Sequence, residues 1–215
     1  MKFRTLNAML AAIALLASGT AAADFGVGIK AGTLGFGLEG RWDPPVPWFD
    51  LRVGINQYDF DDDGGYSGIN YDATLALDSA YLTANFKFPL SPFRFTVGAF
   101  SNGNEMQMSS VDPLDGSWGT AAGLTSVTSF SSTAPYAGVG FDFEVFGKAG
   151  LNLDFGVLWQ GDPNVTLDVT NFDSLSPAEQ ALIAPRLEQE RLEIEDDFSD
   201  LKAWPVVSLG FVYNF

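Results

Sequence analysis

The chain closes on Val207-Ser-Leu-Gly-Phe-Val-Tyr-Asn-Phe215, in which Val207, Leu209, Phe211, Tyr213 and Phe215 alternate with Ser208, Gly210 and Asn214. Side chains two apart share a face of an extended chain, so this stretch is a strand with one apolar and one polar face. The same pattern recurs upstream. Leu151, Leu153, Phe155, Val157 and Trp159 oppose Asn152, Asp154, Gly156 and Gln160, and Ala137, Val139, Phe141, Phe143 and Val145 oppose Gly138, Gly140, Asp142 and Glu144. Phe93, Phe95, Val97 and Ala99 oppose Arg94, Thr96 and Gly98, and Leu82, Ala84, Phe86 and Phe88 oppose Thr83, Asn85 and Lys87. Three more such segments open the chain: Phe25 to Gly32, Phe36 to Trp42, and Phe49 to Asn56.

Eight two-faced strands, an even number, describe an all-β chain, an eight-stranded antiparallel up-and-down barrel that crosses a membrane. The fourth strand, roughly 71 to 88, changes phase: Ala73, Leu75 and Leu77 are apolar where the alternation below calls for polar groups. Either a bulge near Ser79 and Ala80 or an extension beyond the bilayer accounts for it. Connections alternate in length. Those at Asp43 to Pro47, Pro89 to Pro92 and Phe146 to Gly150 are short, and those at about 59 to 70, 102 to 134 and 162 to 203 are long. Short turns thus lie on one side of the membrane and long loops on the other; the tip between the first two strands is an unusually short outer loop.

Packing decides which face is outside. An eight-stranded interior is only just wide enough for side chains to fill, and four or five large apolar groups per strand overfill it. The other face carries glycines with Lys30, Arg41, Arg52, Lys87 and Arg94 against Glu39, Asp50, Asp142, Glu144 and Asp154. Five basic groups facing lipid would cost on the order of 10 kcal/mol, so the charges are expected inside, paired in a network that plugs the lumen. The alternative is a narrow ion path. Trp42, Trp48, Trp159, Trp204 and Tyr213 lie near strand ends, where amphipathic rings favour the membrane boundary.

These features together resemble the small outer-membrane barrels of the OmpA-like and OmpX-like kind. The terminal strand, with Phe211, Tyr213 and Phe215 at spacing two, is similar to the signal read by the barrel assembly machinery in that class. The resemblance implies that machinery, periplasmic chaperones, outer-membrane lipid and lipopolysaccharide as partners. No globular segment follows Phe215, so the peptidoglycan-binding domain of full-length OmpA proteins, and with it cell-wall anchoring, is not expected. A closed barrel needs no partner strand, so a monomer is expected.

The N-terminus fits export. Lys2 and Arg4 precede an apolar run from Ala8 to Ala17 and the small residues Ala21-Ala22-Ala23, the layout of a cleaved signal peptide over 1 to 23 with the barrel over 24 to 215. The run is about half the roughly 20 residues a spanning helix needs. Losing Lys2 and Arg4 from 11 basic residues leaves 9 against 27 acidic, a net charge of −18, which excludes nucleic acid as a natural partner. Cysteine and histidine are absent. That removes disulfides, thiolate chemistry, Ser-His-Asp hydrolysis and His-ligated zinc, and no isolated carboxylate pair suggests an enzyme, so no catalytic residues are assigned.

Asp59-Phe-Asp61-Asp-Asp63-Gly64 matches the opening of a calcium loop, although its twelfth position is Asn70 instead of Glu. Calcium at Asp59, Asp61 and Asp63 is the one cofactor to test; a solvated acidic loop is the simpler reading. Ser176-Pro177-Ala178-Glu179 reads as a capping box opening a helix, with Pro185 expected to kink or restart it. Beyond it Leu187, Ile194, Phe198 and Leu201 recur at helical spacing among acids, a stripe that packs on the rim, lids the barrel or binds a partner. Ser101 to Thr133, rich in Ser, Gly and Thr, reads as a mobile outer loop. The functional expectation is a structural or surface-interaction protein of the outer membrane. A narrow channel or small-solute transporter and a soluble periplasmic ligand-binding barrel are the alternatives.

Overall fold

A computed structural model describes residues 24–66, 69–110 and 123–215. The segment 1 to 23, read as a signal peptide, lies outside them. Eight strands close a barrel: β1 (Asp24–Gly32), β2 (Gly35–Asp43), β3 (Phe49–Tyr66), β4 (Ile69–Lys87), β5 (Phe93–Asn102), then β8 (Thr133–Phe146), β9 (Ala149–Trp159) and β11 (Ala203–Asn214). All pairs are antiparallel, and β11 returns to pair with β1 from Gly32↔Ser208 to Gly26↔Asn214. Asp24, Phe215 and the short turns share one end. The tight connection at the other end uses Gly35 at φ +89°, where a side chain would also collide with the Gln57 carbonyl and Tyr58.

The barrel wall turns its large apolar groups outward. Ile29, Phe36, Leu82 and Leu209 are between 54% and 65% exposed, and every strand of the barrel adds Phe, Leu, Val or Trp to this band. Trp42, Trp48, Trp159 and Tyr213 are exposed at its margins. Trp204 departs from that expectation: its parity on β11 is that of Val206 and Ser208, and it packs inward.

β3 and β4 run 18 and 19 residues, well beyond the roughly 9–11 that a tilted crossing needs. Their register is continuous from Phe49↔Phe86 to Tyr66↔Ile69. No bulge interrupts it at Ser79 and Ala80; the phase change is the extension. One face of β4 carries Ser79, Tyr81, Thr83 and Asn85 into the polar lumen and, further out, the half-buried Leu75 and buried Leu77, then Tyr71 and Ala73 into an apolar core.

That outer core belongs to a lobe built from the segments expected to be loops. The described parts of 102 to 134 form β6 (Glu105–Ser110) and β7 (Gly123–Ser129), and 162 to 203 forms β10 (Asn164–Thr170) and helix α1 (Pro177–Asp197). β6 pairs with the outer part of β4, β7 with β6, and β10 with β7. Tyr71, Met108, Leu124, Val165 and Val169 meet Ile183 and Ile194 of α1 beneath the sheet.

Ser176 caps α1, accepting from the Glu179 amide while Glu179 accepts from the Ser176 amide. Pro185 sits inside a continuous helix and does not break it, because the Ala181 carbonyl it leaves unpaired lies on the exposed side. Replacing Ser176 by alanine is expected to cost about 1 kcal/mol of helix stability, read as faster amide exchange confined to the first turn of α1.

Candidate functional site: a plugged polar lumen

Polar side chains of alternate parity converge inside the barrel because lumen-facing groups recur every second residue. Five cations meet five carboxylates there. At the short-turn end Arg41 and Lys87 both reach Asp43 and Asp50. Above them Arg52, 2% exposed, lies 2.8 Å from Asp142, 3.1 Å from Asp50 and 3.4 Å from Glu39.

Arg94, 1% exposed, is the most engaged group. Its Nε donates to Asp142 at 3.0 Å, one terminal nitrogen to Asp154 at 2.5 Å, and the other to Asn85 Oδ1 at 2.9 Å and Thr96 Oγ1 at 2.7 Å. Asn85, fully buried, then donates to Asp50 at 2.6 Å. Gly140 makes room for the guanidinium: a Cβ there would stand 2.6 Å from Arg94 Cζ.

Lys30 closes the ionic layer, its ammonium 3.1 Å from Tyr81 Oη, while Tyr81 donates to Glu39 at 2.7 Å. An apolar seal follows: Tyr81 stacks on Phe100 at 5.0 Å between ring centres, and Phe100 meets Tyr136, with Leu34, Leu158, Val206 and Trp204 around them. Gln160, fully buried, bonds Asn102, Asn104 and the Leu201 carbonyl above the seal.

The cavity between the ion pairs and the seal holds about 20 Å³, room for about one water and for no larger solute. Below the ion pairs a polar recess of about 430 Å³ lies between Asp24, Arg41, Lys87, Glu144 and the proline-rich β2–β3 turn.

The structure brings together Lys30, Glu39, Arg41, Asp50, Arg52, Lys87, Arg94, Asp142 and Asp154. It leaves out Glu144, which has polar-face parity but sits exposed at the rim, past the last paired layer. Asp43 joins instead; placed in a turn by its sequence, it is the last residue of β2. Tyr81 and Tyr136 also point inward, a placement their parity with Thr83 and Gly138 foretold. Val212, of the same parity as Gly210 and Asn214, fills space beside Gly26 and Gly150.

The three calcium candidates are not converged in the structure. Asp59, Asp61 and Asp63 lie on extended β3, stepped along one face by about 7 Å, whereas a calcium loop converges its oxygens to about 2.3–2.6 Å from one ion. Asp61 accepts from Thr74 Oγ1 at 2.8 Å, and among the described residues no group of three acids is placed to hold a metal.

No protein-family model matches the chain, and no curated protein resembles it significantly. Solved structures do. CarO2 of Acinetobacter baumannii is 22% identical and superposes at a TM-score of 0.60 over 91% of this chain and all of that one. CarO of the same organism, also 22% identical, gives 0.56 over 88% of this chain and 97% of that one. A major outer membrane protein of Thermus thermophilus aligns at 0.47 with 17% identity, over 91% of this chain and 100% of its own. The likeness to the two Acinetobacter proteins is one of fold: this chain is a closed eight-stranded antiparallel barrel of the outer-membrane type.

Proposed function

We propose that this chain resides in a bacterial outer membrane as a structural or surface-interaction protein, exported by residues 1 to 23 and meeting its surroundings through the outer lobe. The observation that carries this reading is the inside-out polarity of the barrel, with large apolar groups outside and paired charge within. A soluble ligand-binding barrel needs the reverse. Lipid then covers the apolar band, and Phe211, Tyr213 and Phe215, on the exposed face of the last strand, serve the assembly machinery.

The outer lobe is strongly acidic. Asp59, Asp61, Asp63, Asp72, Asp78, Glu105 and Asp168 share the outer face of its sheet with no lysine or arginine among the described residues, so a polyanion approaches this face only with bridging cations. The seal and the ion pairs below it favour a barrel closed to solutes over a channel.

Fractionation with gel migration of boiled and unboiled samples tests the location: outer-membrane recovery with a heat-dependent shift is expected, and soluble recovery without one would overturn it. Planar bilayers test the rest. No conductance steps are expected; reproducible steps would establish the channel reading instead.

A further inference from the structure

α1 lies against the outer sheet through Ile183, Leu187, Ile194 and Phe198. Glu190 falls on the same stripe, three residues after Leu187 and four before Ile194. A carboxylate thus stands in the middle of an apolar contact, and its Oε1 is buried with no hydrogen-bond partner among the described residues.

The sheet repeats the anomaly. Ser126 and Thr128, each 1% exposed, point toward the helix from β7, and neither hydroxyl oxygen has a partner among the described residues. Ser126 is flanked by Met108 and Leu167, Thr128 by Met106 and Val165. The contact between α1 and the sheet thus holds three buried polar atoms without a partner among the described residues, an arrangement native interfaces rarely keep.

The described groups facing Glu190 offer no counter-charge. β4 contributes Tyr71, whose hydroxyl burial and Glu190 together push up to about 12. β6 contributes Met106, Met108 and Ser110, β7 Leu124, Ser126 and Thr128, and β10 Val165, Leu167 and Val169, with Asp168 on the opposite face. On α1 itself Glu193 lies one turn on, and burial first, Glu193 second, hold the Glu190 carboxyl above the usual range. Arg191 is engaged by Glu188 and Glu195, Lys202 by Asp162, and Arg186, Asp173 and Asp200 are exposed.

We propose that α1 is a proton-operated strap: it closes on the outer sheet while Glu190 is neutral and loosens when Glu190 ionises, baring a face of hydroxyl and thioether side chains. The sign follows from linkage. The docked state prefers the protonated carboxyl, so docking is strongest below the ordinary glutamate range and weakens as pH rises through the raised one. With one proton involved, the docking constant falls by at most about tenfold per pH unit between the ordinary and the raised glutamate range, and levels off above it.

The chain lacks cysteine, so Leu182→Cys on the exposed side of α1 and Thr166→Cys on β10 place a unique pair of spin labels on the full-length barrel. Distances are measured by pulsed electron resonance at about pH 4, below the ordinary glutamate value, and at about pH 8. The expected result is one short distance at the lower pH and a second, longer population at the higher. Glu190→Gln is expected to hold the short distance at both, while Glu188→Gln, on the exposed face, keeps the pH response. An identical distribution at both pH values, or a pH response that survives Glu190→Gln, would overturn the proposal.

Discussion

Arg94→Ala is expected to remove about 3–5 kcal/mol of stability, the loss typical of breaking a buried ion pair by deleting one partner. The loss comes from what is left behind more than from what is removed. Asp154 has Arg94 as its only ion-pair partner among the described residues, so the variant leaves a buried carboxylate with the Ser208 hydroxyl and no ion pair among them. Asp142 keeps Arg52 and Arg41, and Asn85 and Thr96 lose a donor each.

Urea unfolding of the barrel in lipid vesicles, followed by tryptophan fluorescence, measures the loss. Adding Asp154→Asn to Arg94→Ala is expected to restore part of it, because the second change removes the stranded charge; such non-additivity marks direct coupling. A single-variant loss below about 1 kcal/mol would show that water, not the network, satisfies these groups.

Leu82→Arg is expected to lower the stability of the vesicle-inserted barrel by about 2–4 kcal/mol, the cost of a basic group facing the bilayer midplane. Leu82 is 58% exposed, on the outward face between Val53 and Ala99 of the neighbouring strands. In a water-soluble barrel a charge at so exposed a position changes stability by no more than about 0.5 kcal/mol. Gln107→Arg supplies the internal control: it lies on the outer face of β6, beside Thr74 and Val127, and is expected to be near neutral. Equal effects at the two positions would remove lipid from the outward band.

The barrel and its polarity were readable because each crossing strand repeats the same strong contrast, large apolar against glycine or charge. The outer lobe obeys the same period with a weaker signal. β7 turns Leu124, Ser126 and Thr128 inward and Thr125 and Val127 outward, which looks like a loop to any scale that counts a buried serine as exposed. β6 is six residues with two methionines inside. The phase change at Ser79 was visible but ambiguous, since a bulge and a lumen that turns from polar to apolar leave the same trace. Pro185 misled because the rule against helical proline assumes a carbonyl that needs its partner, and Ala181, four residues before it, is exposed. Glu144 and Asp43 changed roles for a geometric reason: parity says which way a side chain points, not how far along the lumen the partners extend.

The pairing of β1 with β11 also has a kinetic side. The first and last strands of the barrel become neighbours, so the wall cannot close until nearly the whole chain is in place, and this seam is the least local contact in the molecule. Non-local pairing is slow to form. Until it does, both strands stand as open edges, able to add to any other strand they meet. A chain cut short before Ala203 would keep β1 in that state permanently, its backbone unsatisfied on one side, with aggregation or degradation as its fate.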